Sequence, residues 1–204
     1  MVIDHIGQTF FPKLIPLFII GRIAFPIFAW CLVAGCLYTR DIRKYLLRLL
    51  VFAVLSQPVY VLNWYGSIEY WFHLNIMFTL FFGAIAVYGL MDIKRRWWML
   101  LPVIAACLWL NIEYGMYGIV LIIAFYIFRE KRWLSAVVLT LFLALYGVRF
   151  YYGRFTYIYQ GLAVLALPFI YIRTNSKLRV NKYFFYVFYP VHLWVIFAVG
   201  RVLK

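Results

Sequence analysis

A chain of 204 residues in which 68% are hydrophobic and 23% aromatic, with a mean hydropathy of +0.93, lies well above the apolar share of about 45–50% typical of soluble domains. Only 13% of its residues are charged, and the net charge of +14 comes from short Lys and Arg clusters set between apolar runs, which is a topology signal rather than a nucleic-acid-binding surface. A soluble domain and a nucleic-acid partner are thereby excluded, and the expectation is an all-α, polytopic membrane protein built as one domain over residues 1–204.

The chain opens on Val2-Ile3-Asp4-His5-Ile6-Gly7, an apolar stretch carrying a carboxylate and an imidazole side by side. After it, charge and turn residues divide the sequence into eight apolar segments at about 21–39, 45–63, 73–91, 97–110, 116–128, 133–149, 155–172 and 183–203, near the length of about 20 residues that a helical span needs. These runs are too long for barrel strands, so helices are the expected spanning elements. Alternate loops place Arg40, Arg43, Lys44, Arg48, Lys94, Arg95, Arg96, Arg129, Lys131, Arg132, Arg173, Lys177, Arg179 and Lys182 on one side, 14 of the 20 basic residues. That side is the expected cytoplasmic face of a multi-pass protein in the bacterial inner membrane. The opening motif then lies at the outward end of an incomplete first span, an expectation that puts either the true start upstream of Met1 or a half-span in the outer leaflet.

Ionisable and amide side chains within spans are costly, so their depth is informative. With this topology Asp4, His5, Arg22, Asn63, His73, Asn75, Asn111, Glu113, Tyr114, Arg149, Tyr152 and Arg154 gather toward the outer face, with Gln57 and His192 nearer mid-span. The pattern suggests a polar cavity in the outer half of the membrane. His73, after Trp71 and Phe72, reads as an aromatic-belt residue, and Glu69, Arg149, Arg154, Arg201 and Lys204 read as headgroup anchors. Cys31, Cys36 and Cys107 read as small buried hydrophobes, with no metal-ligand spacing among them. Arg22 differs, because an arginine followed by the apolar run IAFPIFAW requires an acceptor or an anionic ligand. Adjacent residues on a helix point about 100° apart, so Asp4 and His5 must serve different partners. Asp4 is expected to pair with Arg22 while His5 faces the cavity.

The stretches MVIDHIG, IGRIAFPIFAWCLVAG, NIMFTLFFG, YGIVLI and FYPVHLWVIF resemble, in order and spacing, the TraX family of membrane proteins that N-acetylate the pilin of F-like conjugative pili. The resemblance covers nearly the whole chain. It implies an acyltransferase that takes acetyl from cytoplasmic acetyl-CoA and places it on a pilin amine, or another acceptor, at the far face of the bilayer. In that reading His5, with Asp4 and Arg22, forms the catalytic group, either as a general base or as a transiently acetylated nucleophile. Arg22 or Asn75 would donate to the oxyanion, and Gln57, Asn111, Glu113 or Tyr114 would receive the acceptor amine. His192 joins them as a substrate-side candidate. Arg40, Arg43 and Lys44, with Arg179 and Lys182 in the loop from Arg173, would hold the phosphates of coenzyme A. No glycine-rich phosphate loop and no metal set is expected. Two other classes share the pattern of buried charge: a proton-coupled transporter, which would move its substrate unchanged, and a non-catalytic pilus-assembly protein, which would tolerate loss of His5.

Overall fold

A computed structural model of the chain describes residues 1–149, 159–172 and 182–203. Helix α1, Val2–Phe10, ends before Pro12, and α2 runs over Ile15–Tyr38 with Pro16 in its first turn, where a missing amide costs nothing. Helix α3, Ile42–Trp64, is capped by Asp41, whose carboxylate accepts from the Lys44 amide at 3.1 Å. That bond, more than any other influence, holds the Asp41 pKa below the ordinary carboxylate range. The capping contribution is therefore present at neutral pH and is lost as pH falls through that range.

Among the described residues, three helices are long and apolar enough to cross a bilayer: Ile15–Tyr38, Ile42–Trp64 and Phe184–Val202, the last within α10, Lys182–Val202. A fourth candidate is α4, Ile76–Met91, taken with the stretch Ile93–Trp109, but the two are bent by 120°. Each of the eight expected segments contains helix within its described residues, but eight spans are not borne out among them, because most of the helices beyond these candidates are short. Helix α7, Gly115–Ile127, has 13 residues and reaches only about 20 Å at 1.5 Å per residue, against a hydrocarbon core of about 30 Å. The start of the second span is also corrected. Because α2 begins at Ile15, Arg22 stands two turns inside the helix rather than at its outward end.

The chain divides into two compact units, Met1–Cys31 with Ala124–Lys177, and Leu32–Ile123 with Leu178–Lys204. In the first, α1 packs on the start of α2 through small residues. A Cβ at Gly7 would meet Leu17 Cβ at 3.0 Å, and one at Gly21 would overlap Asp4, so glycine is what lets the two backbones approach. Further along this unit Trp30 packs edge-on to Phe125 at 5.7 Å and lies 5.9 Å from Tyr171. Tyr171 ends the short helix α9, Leu167–Tyr171, and its hydroxyl bonds Ser135 of α8, Arg132–Arg149. Leu139 and Leu143 of α8 are fully buried in this core.

In the second unit Asp92 leaves helical backbone at φ −144° and ψ 68°, and the chain turns through α5, Ile93–Arg96, a short 3-10 stretch and α6, Leu100–Trp109. Helix α6 returns along α4, burying Ala86 and Val103 with Ile119 of α7. The return brings two strands together: β1, His73–Leu74, and β2, Asn111–Ile112, pair in parallel with His73 opposite Asn111 and Leu74 opposite Ile112. These strands have no counterpart in the helical expectation. Each interrupts the backbone just before a helix starts, and pairing them satisfies amides and carbonyls that have no helical partner. The consequence is that α4 and α7 begin side by side. A Cβ at Gly83 would overlap Ile122, which keeps these two helices in close contact.

Candidate functional site

The first unit buries a polar cluster between α1 and α2. Arg22 Nη2 donates to Asp4 Oδ1 at 2.6 Å and to Asp4 Oδ2 at 2.7 Å, and Gln8 Nε2 donates to Oδ2 at 3.0 Å. The side chains of Arg22 and Asp4 are 15% and 10% exposed. The expected ion pair is therefore present, and it is one that water screens little. Gln8 is an addition to the expected pair, although its position four residues after Asp4 puts it on the same helix face. Gly21 is a second addition: it makes room for the Asp4 side chain beside the arginine that follows it in sequence. His5 is buried, and helix geometry turns it about 100° away from the Asp4 face. The arrangement places an imidazole next to a charge pair whose carboxylate is already engaged by Gln8 and Arg22.

The second unit holds a separate network around the start of α4. Gln57 Nε2 donates to the carbonyls of Trp71 and His73 at 2.7 and 2.8 Å, and its Oε1 accepts from the Asn75 amide at 3.2 Å and from Asn75 Nδ2 at 2.8 Å. Asn75 Nδ2 also donates to the Ala53 carbonyl at 2.9 Å, while Asn75 Oδ1 caps α4 by accepting from the Met77 amide at 2.9 Å. Pro58, next to Gln57, removes an amide from this turn of α3 and loosens its hydrogen-bond ladder. Each amide donor of Gln57 and Asn75 is engaged within the protein, where the two side chains hold the loop to the helix start. Gln57→Leu is expected to orphan two carbonyls and two N–H donors at a site where Gln57 is 1% exposed and Asn75 is 0% exposed. The loss should be on the order of 3 kcal/mol or more, read as a lower unfolding midpoint in detergent. A midpoint like that of the native chain would show that the network does not hold the loop.

Glu113 and Tyr114 lie beside this network. The Glu113 amide donates to the Leu74 carbonyl at 2.9 Å and its carbonyl accepts from Thr79 Oγ1. Tyr114 has φ 62°, a left-handed conformation uncommon for a residue other than glycine. His192, on α10, is bound through Nδ1 to the Phe188 carbonyl at 2.7 Å and packs 5.4 Å from the Tyr189 ring. With Nδ1–H as donor, Nε2 carries the lone pair. Asn63 Nδ2 donates to the Leu193 carbonyl at 3.1 Å, tying α3 to α10. Asn111 is exposed and serves β2 through its backbone. His73, as expected of a belt residue, packs on aromatics, 4.5 Å from Tyr65 and 5.7 Å from Tyr70.

Arg40, Arg43 and Lys44 are exposed around the start of α3, with Lys44 Nζ 3.5 Å from Asp41. Arg179, with Tyr152, Arg154, Arg173, Lys177 and Lys204, lies outside the described residues, as do the side chains of Arg149 and Lys182. Cys36 is buried and Cys107 partly so, but Cys31 is exposed on α2, which corrects its expected burial. Among the described residues no group of three or more His, Cys, Asp and Glu is placed to hold a metal ion.

Apolar helices of spanning length with a buried ion pair inside the first helix pair define a helical membrane protein. The family model described as TraX protein matches residues 1–200, and the chain belongs to the TraX family. It is also similar to the probable fimbrial assembly protein FimC, serogroup H1, of Dichelobacter nodosus, at 28% identity over 200 residues, with 85% of this chain and 78% of the relative covered. No solved structure matches the chain.

Proposed function

We propose that this protein is an acetyltransferase of the bacterial inner membrane that moves an acetyl group from acetyl-CoA to the N-terminal amine of a pilin subunit, or of another acceptor at the outer face. The observation that carries this reading is the buried Asp4–Arg22 pair beside His5, in a chain matched along its length by the TraX family. The similarity to a fimbrial assembly protein supports a pilin-related acceptor. Acyl transfer to an amine needs a base, a stabiliser for the developing oxyanion and a site that holds the thioester close to the nucleophile. His5 supplies the base, or is itself acetylated and passes the group on. Arg22 carries the positive charge suited to the oxyanion, and Asp4 with Gln8 fixes its position. Arg40, Arg43 and Lys44, at the start of α3, present exposed cations for the phosphates of coenzyme A. Arg179 and Lys182 join them in this proposal.

The test uses the purified chain in lipid, acetyl-CoA labelled in the acetyl group and a peptide with the pilin N-terminus. Label is expected on the peptide's first residue, with an added acetyl mass on that residue in cells that carry the gene and none in cells that lack it. A pilin N-terminus of equal mass in both strains, with no label transferred in vitro, would refute the reading.

A further inference from the structure

Within the second unit, Arg48 of α3 is held by aromatic rings rather than by a carboxylate. Elsewhere in the chain Arg22, Lys44 and Arg129 each stand within ion-pair distance of an acid, namely Asp4, Asp41 and Glu130. All six carboxylates fall among the described residues, and Arg48 is paired with none of them. Its Nε is buried and, among the described residues, has no hydrogen-bond partner. The guanidinium lies between rings of two helices, with Cζ 5.9 Å from the Tyr45 ring of α3 and 5.8 Å from the Tyr186 ring of α10. Both rings are themselves fixed. Tyr45 fills the gap over Gly35 of α2, where a Cβ would come within 2.5 Å of its hydroxyl oxygen, and Tyr186 stacks on Phe52 at 5.5 Å.

The depth of Arg48 narrows what can meet its charge. Helix α3 has 23 residues and extends about 35 Å at 1.5 Å per residue, against a hydrocarbon core of about 30 Å, so its ends reach into the headgroup layer. Arg48 follows Ile42 by about 9 Å along the axis. A long side chain on a helix leans back toward the N-terminus, and the Tyr45 contact shows the guanidinium doing so, toward the level of the lipid phosphates. Ring faces stabilise the cation but do not accept its N–H donors as an oxygen does, and the planar guanidinium fork matches a phosphate. Val51 and Leu55, one and two turns deeper on the same face of α3, are exposed, as are Phe185 and Phe188 of α10. An apolar surface running inward from a cation fits a ligand with an anionic head and acyl chains.

We propose that Arg48, between Tyr45 and Tyr186, binds the phosphate of an anionic phospholipid whose acyl chains lie against Val51 and Leu55. Lipid binding there is independent of acyl transfer, so it is read on the full chain in detergent with no acyl donor. The probes are phosphatidylglycerol and phosphatidylcholine, two phosphodiesters that differ in net charge, offered in equal amounts, with the retained molecules counted by native mass spectrometry. The native chain is expected to hold phosphatidylglycerol about fivefold more tightly, the size of one cationic contact with an anionic lipid. Arg48→Gln is expected to erase that preference, while Arg95→Gln, which removes an exposed cation beyond the end of α4, keeps it. Equal retention of the two lipids by the native chain, an undiminished preference in Arg48→Gln, or the same loss in Arg95→Gln overturns the proposal. If Arg48→Gln does not fold, Tyr186→Leu decides, since it takes one ring from the guanidinium and leaves the charge: a smaller preference is expected, and an unchanged one overturns the proposal. Excess inorganic phosphate separates the two sources of the anion. The lipid is expected to stay bound, and its displacement would show a seat for soluble phosphates and overturn the lipid assignment.

Discussion

Replacing His5 with alanine is expected to lower the rate of acetyl transfer by about 10²- to 10⁴-fold, the range over which a positioned acid or base acts. His5 is buried in α1, next to a carboxylate committed to Gln8 and Arg22 rather than standing as a lone charge. Removing the imidazole takes away a proton acceptor without breaking the ion pair, so the variant should reach the membrane folded and show its defect in turnover. The two routes open to His5 separate in one further measurement. If the imidazole is acetylated, mixing the enzyme with labelled acetyl-CoA and no acceptor gives one protein-bound acetyl per chain, lost in His5→Ala. If it is a base, no such species forms. Full transfer by His5→Ala would refute the assignment of His5.

Breaking the Asp4–Arg22 pair should cost more in stability than any other single change in the first unit. Asp4→Asn leaves the guanidinium buried, at 15% exposure, without its counter-charge, and Arg22→Gln leaves the carboxylate, at 10%, without its own. Removing one partner of a buried pair typically costs about 3–5 kcal/mol. The double variant Asp4→Asn with Arg22→Gln places two neutral amides in the same gap, and it is expected to recover at least ~1 kcal/mol relative to the sum of the singles. Unfolding midpoints in detergent read the cycle, and losses that add within ~0.5 kcal/mol would show that the pair is not coupled. Gly21 reports on the same contact from the backbone side. A Cβ there overlaps Asp4, so Gly21→Ala should displace the carboxylate from Arg22 and mimic part of the Asp4→Asn loss.

The ion pair is legible in the amino-acid sequence because helix geometry and desolvation suffice to derive it. An arginine inside an apolar run needs an acceptor, and two consecutive residues cannot share one face. Gln57 and Asn75 stand out as buried polar residues for the same reason, but not as a closed network. Their partners, Trp71, His73 and Ala53, offer backbone carbonyls that any residue type would offer, so no side-chain pattern announces them. The helix breaks at Asp92 and between α6 and α7 fall where charge and turn residues divide the sequence, between the segments at 73–91, 97–110 and 116–128. What the sequence does not announce is the 120° bend that follows α4 and the pairing of β1 with β2.

Composition and charge by themselves determined that the chain lives in a bilayer as helices, since only helices satisfy the backbone along apolar runs of this length. The opening motif determined that Asp4 and His5 point to different sides of their helix. Only the tertiary structure decided how many helices among the described residues reach spanning length and which polar side chains are spent on holding loops. These features rest on close contacts between segments distant in sequence, and such contacts are set by packing rather than by local propensity.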